Sequence, residues 1–136
     1  MLINRVAQKL LAAPELAPVL HELDAGHDAT LGVPQSARSL LVAALWARDP
    51  RPCLLVVSGE EAADRTARAL AAWLGMDVVC RYPGRHDLPW ADKPADDAVV
   101  GTRCRAVARL AAGEKCLVVA SARALLRRVP PVGSGY

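Results

Sequence analysis

The chain has 136 residues, a hydrophobic fraction of 53% and a formal net charge of +3. This length fits one domain or a piece of a larger protein, and the hydrophobic fraction argues against disorder. No apolar run reaches the roughly 18 residues of a membrane span. The amino-terminal stretch MLINRVAQKLLAAP is too polar for a secretory signal. We therefore expect a cytoplasmic protein that does not bind a membrane.

The first 28 residues predict a helical lead-in. Apolar residues recur at helical spacing over Leu2–Ala13, and Pro14 ends that helix or begins the next turn. The same spacing continues to Leu23, and Gly26 follows as a typical residue beyond a helix carboxyl end.

The remaining sequence alternates between strands and helices. Ala29–Val33 is a short extended run that would form the first strand, and three apolar runs indicate further strands near 53–58, 77–82 and 116–120. Helices are predicted between them, near 37–47, 62–74 and 96–112, and a short one after the capping residue Ser121. This order predicts an α/β domain over 29–131: a parallel sheet with strands buried on both faces and helices on both sides. Residues 132–136 read as a flexible tail, which favours a piece cut from a longer protein.

A degenerate phosphate loop lies between the extended run and the first helix of this domain. Gly32, four intervening residues and Ala37-Arg38-Ser39 have the spacing of the pattern G-x-x-x-x-G-K-[ST]. Alanine replaces the second glycine, and arginine replaces the lysine that reaches the nucleotide phosphates. The order of extended run, loop and helix makes the domain resemble part of a RecA-like (P-loop NTPase-like) fold. We predict no bound cofactor at Gly32, Ala37, Arg38 and Ser39, although an ordinary loop before a helix also fits the spacing.

Other residues that could carry chemistry are scattered. None of the four cysteines forms a C-x-x-C pair, so the sequence predicts no metal site and favours free thiols. No strand ends in the paired acids that hold Mg²⁺ in a Walker B element, so we predict no catalytic residue. Six arginines could contact DNA, although a solvated helix face explains the first three equally well. They are Arg103, Arg105, Arg109, Arg123, Arg127 and Arg128.

The order of these segments resembles the amino-terminal, UvrB-like segment of bacterial transcription-repair coupling factors (Mfd). The resemblance spans nearly the whole chain: LGVPQSARSLLVAAL, PCLLVVSGEEAADRTARAL, GTRCRAVARL with Arg103, and CLVVASARALLRRVPP. Its most specific part is Tyr82-Pro83 followed by Leu88-Pro89-Trp90. The excision-repair helicase UvrB has a similar front segment, but with an intact phosphate loop and an aromatic hairpin, and this chain has neither.

The resemblance implies a non-catalytic scaffold within an ATP-dependent DNA translocase. In that family the motor domains use ATP and Mg²⁺. These domains, the polymerase-binding domain and most of the UvrA-contacting domain lie beyond this segment. This part would hold the adjoining UvrA-binding domain and contact the rest of its own protein. It would bind DNA weakly or not at all.

Two alternatives from other functional classes remain open at the level of sequence. Gly32, Ser39 and the helix behind them could still bind a nucleotide, because a helix amino terminus attracts anions. The carboxyl-terminal arginines could instead bind nucleic acid, with an affinity that falls steeply as salt rises.

Overall fold

The computed structural model describes residues 2–85, 96–127 and 129, which form parts of two compact units, Met1–Asp49 and Pro50–Tyr136. The first unit contains helices α1 (Leu2–Leu11), α2 (Ala17–Asp24) and α3 (Gln35–Arg48), with a single 3-10 turn at Pro14–Leu16. The second contains strands β1 (Cys53–Val57), β2 (Val79–Tyr82) and β3 (Leu117–Ser121) and helices α4 (Glu60–Leu74), α5 (Asp97–Ala111) and α6 (Ala122–Leu125). The predicted divisions after residues 28 and 131 stay predictions.

In the first unit, α1 packs against α3. Small residues lie at the centre of this unit: Ala7 is 5% exposed, and Ala43 and Ala44 are fully buried. Beyond α2, Gly26 has a φ of 76°, a left-handed conformation that glycine adopts without strain. The helices predicted for the lead-in and after the degenerate loop are therefore confirmed, with ends shifted by one or two residues.

The extended run predicted at Ala29–Val33 does not become a strand. The structure places residues 25–34 outside helices and strands, so its described residues contain three strands where four were predicted. Gly32 weakens a strand by its conformational freedom, and Pro34 cannot donate a ladder hydrogen bond. Both residues act against pairing at this point.

The second unit is built on a parallel sheet of strand order β1-β3-β2. The central strand β3 has the sequence LVVAS, and all five residues are buried. Apolar residues without interruption are typical of a strand with neighbours on both edges and both faces. The predicted α/β class, with a parallel sheet and flanking helices, is confirmed.

Helices α4 and α5 lie on opposite faces of this sheet. Arg81 points to the α4 side, where it contacts Glu60 and Asp64. Its neighbour Tyr82 points to the α5 side, in a core cluster with Ala106 and Val118. The alternation of side chains along β2 thus divides a polar network from the apolar core.

The prediction that every apolar strand is covered on both faces is wrong for β1. Leu54 is 49% exposed and Val56 is 47% exposed. They are in register with Val118 and Ala120 of β3, so they lie on the α5 face of the sheet. Because β1 is an edge strand and α5 packs on β2, the part of this face over β1 stays open.

Candidate functional site

The segment predicted as a degenerate phosphate loop leads into α3 without a compact cradle. Pro34 is the residue before the helix, and its carbonyl oxygen accepts the Ala37 N–H at 2.9 Å. Ala37 lies inside the helix, where its Cβ causes no strain. Gly32 has open space where a Cβ would stand, and its φ is not left-handed. Neither position therefore has the close backbone approach that makes glycine necessary in a phosphate loop.

The cation of this loop is turned back onto the loop itself. Arg38 Nε donates to the carbonyl oxygen of Val33 at 3.2 Å. In a working loop the corresponding lysine instead reaches forward to the nucleotide phosphates. Ser39, at the position that would bind Mg²⁺, lies in the second turn of α3. The structure thus keeps the four predicted residues near one helix end but does not aim their polar groups at one point.

A denser polar cluster lies at the carboxyl edge of the parallel sheet, where open α/β sheets bind their ligands. Glu60, the first residue of α4, is its centre. One carboxylate oxygen, Oε2, accepts from Arg81 Nη2 at 2.7 Å and from the Gly84 N–H at 2.9 Å. The other oxygen, Oε1, accepts from the Ser121 hydroxyl. We call Glu60, Arg81, Gly84 and Ser121 the edge network.

Arg81 is fixed from several directions. Besides Glu60, its Nε donates to Asp64 Oδ1 at 2.8 Å. Its Nη1 donates to the carbonyl oxygens of Tyr82 at 2.7 Å and Val119 at 3.2 Å. The side chain is only 16% exposed. A half-buried guanidinium with this many acceptors is held in one geometry, which suits a structural tie between α4, β2 and β3.

The network holds Glu60 in its charged form. Burial raises the pKa of the Glu60 carboxyl. The hydrogen bonds from Ser121 and Gly84 and the charge of Arg81 lower this pKa by more, so the net shift is downward. A Cβ on Gly84 would lie 2.9 Å from Glu60 Oε1, closer than ordinary contacts allow. A larger residue at position 84 would therefore displace Glu60 Oε1, the oxygen that accepts from Ser121.

Arg103 of α5 secures the same edge from the other face. It is 8% exposed, and its guanidinium lies 4.1 Å from the centroid of the Tyr82 ring. Its Nη1 donates to the carbonyl oxygen of Pro83 at 2.7 Å, with a longer contact to Ala124 at 3.4 Å. The interpretation of Arg103 as part of a solvated or DNA-contacting helix face is therefore wrong. This arginine anchors the turn that leaves β2.

The other predicted basic residues differ in exposure and in their contacts. Arg109 donates to Cys80 Sγ at 2.8 Å and to Glu114 Oε2 at 2.6 Å, and its side chain is 24% exposed. Arg105 and Arg123 are exposed, whereas Arg127 is partly buried. Arg128 and the stretch Leu88-Pro89-Trp90 lie outside the described residues.

The thiols and acids do not form a metal centre within residues 2–85 and 96–127. All four cysteines are free, and no group of three metal-binding side chains occurs there. Burial raises the pKa of the Cys116 thiol, and nearby Cys80 raises it further. Cys80 also lines a cavity of about 180 Å³ between β2 and α5, together with Thr102, Arg105 and Arg109.

Sequence reasoning missed the centre of the edge network. The stretch Ser58-Gly59-Glu60-Glu61 reads only as a turn between strand and helix, and Arg81 reads as part of an apolar strand. A charged residue inside such a strand was the available signal, since it needs a partner when buried. Ser121 was predicted as a helix cap, and its hydroxyl does accept the Ala124 N–H at 3.0 Å.

Comparisons with known proteins add no family to this geometry. Neither the protein-family models nor the curated proteins compared with the chain match it. In the described part of the chain, the helices are all too short or too polar to cross a bilayer.

Proposed function

We propose that this chain is the amino-terminal, UvrB-like unit of a transcription-repair coupling factor and serves there as a non-catalytic scaffold. In this proposal the α/β unit is part of a degenerate RecA-like domain. The parent protein uses ATP and Mg²⁺ in separate motor domains to displace stalled RNA polymerase and then recruits UvrA. The present segment supports the adjoining UvrA-binding domain, and the protein acts in the cytoplasm.

The observation that carries the non-catalytic part is the direction of Arg38. Its Nε is bonded to the Val33 carbonyl oxygen of its own loop. A phosphate would have to compete with this bond, and the Ala37 N–H is already bonded to the Pro34 carbonyl oxygen at 2.9 Å. The segment order around LGVPQSARS, Tyr82-Pro83 and Arg103 supports the family part of the proposal.

The edge network supports the scaffold role. Glu60, Arg81 and Ser121 spend their hydrogen bonds on one another and on the backbone of the turn after β2. Buried side-chain polar atoms of the described residues all have partners. Such a closed network fixes the path of the chain at this edge of the sheet.

The rate at which cells repair the transcribed strand, compared with the other strand, tests the proposal. The variants are made in the full-length gene of the parent protein. Deleting the gene is expected to abolish the faster repair of transcribed strands, because coupling to stalled polymerase is lost. Ser39→Ala is expected to leave that preference unchanged, as is the control Ser36→Ala in the exposed first turn of α3.

Two results would contradict the proposal in different ways. A deletion strain that still repairs the transcribed strand faster would remove the coupling role. Loss of the preference in Ser39→Ala but not in Ser36→Ala, at equal protein levels, would show that the loop works in catalysis.

Two alternatives have weaker support. A nucleotide could bind at the amino end of α3, whose first N–H groups lack helical partners. Nucleic acid could bind through Arg105 and Arg123, the exposed members of the predicted basic set. Neither places several donors around one site, so we rank both below the scaffold.

A further inference from the structure

The outer edge of β1 combines open backbone groups with an open apolar face. Cys53 N–H donates to the Cys116 carbonyl oxygen at 2.9 Å, so residues 53, 55 and 57 turn their backbone groups toward β3. By alternation, the N–H and C=O groups of Leu54 and Val56 point away from the sheet. Within the described residues, neither of these two has a hydrogen-bond partner on that side.

This edge lacks the features that usually prevent pairing. Edge strands are normally protected by charged side chains, proline or bulges. The five residues of β1 are CLLVV, with none of these, and its register against β3 is regular. The opposite edge, β2, contains the charged residue Arg81, whereas a proline flanks each of the two strands, Pro52 before β1 and Pro83 after β2. The two edges of the sheet therefore differ in their readiness to accept a further strand.

We propose that β1 is a self-association edge, which pairs antiparallel with β1 of a second copy of this chain about a two-fold axis at Leu55. In this register Leu54 is opposite Val56 of the second copy. Both have their backbone groups turned outward, so each of the two symmetry-related pairs exchanges both of its hydrogen bonds. The same register sets Leu54 beside Val56 of the second copy on the open face, as an apolar cross-strand pair.

Charge favours this antiparallel arrangement over a parallel one. Arg51 precedes β1, and Glu61 follows it. Antiparallel pairing brings the basic end of one strand to the acidic end of the other, whereas parallel pairing would align like charges. The Glu61 side chain is 88% exposed, and its ion pair with Arg65 is on the surface, where Arg51 of the second copy can share the carboxylate. Pro52 has no N–H and therefore limits the ladder to the strand itself.

Two paired strands of five residues form a small interface, whereas specific interfaces usually bury about 1,200–2,000 Å². We therefore expect a weak dimer that dissociates on dilution. The inference does not depend on the scaffold proposal, since it uses only the edge and face of β1.

Sedimentation equilibrium of the chain over a wide concentration series tests the association. We expect a monomer–dimer equilibrium in which Val56→Lys raises the dissociation constant about tenfold or more, because it places a charge at the centre of the apolar pair. Met76→Lys is the matched control at a residue that is 86% exposed and outside β1, and it is expected to have no effect.

A designed cross-link tests the register independently of whether Val56→Lys folds well. Cys53 faces residue 57 of the second copy across a non-hydrogen-bonded pair, where Cα atoms lie about 4.5 Å apart and a disulfide can form. With diamide as oxidant, Val57→Cys is expected to form a covalent dimer through Cys53, identified by peptide mapping. Val57→Ser lacks the thiol and is expected to give no such cross-link.

Three results would overturn the inference. A chain that stays monomeric at all concentrations would show that β1 does not self-associate and leave the edge to a strand of another protein or of a longer parent. A dimer of equal strength in native chain and folded Val56→Lys would place the interface elsewhere. Failure of Val57→Cys to link to Cys53 in a sample that is dimeric would exclude the antiparallel register.

Discussion

At the scale of single residues, Glu60 is the side chain on which the carboxyl edge of the sheet depends. Its carboxylate joins the start of α4 to Arg81, to the Gly84 N–H and to Ser121. Glu60→Gln keeps the shape but loses the charge and places an NH₂ group where an acceptor is needed. We expect it to lower the free energy of unfolding by about 1–3 kcal/mol in urea denaturation.

Glu61→Gln is the matched control for this substitution. Glu61 is the next residue of α4, and its ion pair with Arg65 is exposed. Exposed pairs contribute little, so we expect a change within about 0.5 kcal/mol. Equal losses in the two variants would show that the edge network does not stabilise the fold.

The same residue predicts a dependence of stability on pH. Because folding lowers the pKa of Glu60 below its ordinary value of 4.5, the charged carboxylate stabilises the folded chain above that pH. This contribution is lost as the pH falls through the lowered, folded-state pKa. The difference in unfolding free energy between native chain and Glu60→Gln should therefore shrink in acid. A difference that is constant from neutral to acidic pH would contradict this assignment.

At the scale of elements, helix α5 depends on its amino-terminal cap. Asp96 Oδ1 accepts the Ala98 N–H at 2.9 Å, and this helix carries both Arg103 and Ala106 to the sheet. Asp96→Ala is expected to lower the free energy of unfolding by about 0.5–2 kcal/mol, measured by urea denaturation. Asp96→Asn keeps an acceptor oxygen and should lose less than about 0.5 kcal/mol. If the two variants were equally destabilised, the cap would not be the cause.

Helix ends were predictable from sequence because the signals that set them are local. Gly75 and Gly113 follow α4 and α5 with φ values of 100° and 68°, and Asp96 and Ser121 cap helices through their side chains. Each of these residues acts within a few positions of itself in the chain. Sequence periodicity was therefore sufficient for the helices and for the apolar strands β1 and β3.

The exposure of β1 and the edge network could not be predicted in this way. Leu54 and Val56 are apolar like the residues of β3, and only the strand order makes one strand an edge and the other central. Glu60 and Ser121 are brought together by that same order from distant parts of the chain. Local pattern does not contain strand order, so the centre of the candidate site stayed hidden.

At the scale of the whole molecule, the two units contain different features that bear on function. The unit Met1–Asp49 contains Arg38 and the segment predicted as a degenerate phosphate loop, and the unit Pro50–Tyr136 contains the sheet and its edge network. The second unit is tied together by a closed polar network, and the first presents a loop whose arginine is bonded to its own backbone. Both features support the proposed scaffold role.

The most direct test of this account is thermal unfolding of the chain with and without millimolar Mg-ATP. A ligand that binds only the folded state must raise the unfolding midpoint. At a ligand concentration of 100 times Kd, the free energy of unfolding rises by about 2.7 kcal/mol. The double substitution Ala37→Gly with Arg38→Lys, which restores phosphate-loop chemistry, is measured in parallel. We predict no shift for the native chain. A rise of several degrees in the native chain would show that the loop still binds nucleotide and would contradict the non-catalytic scaffold.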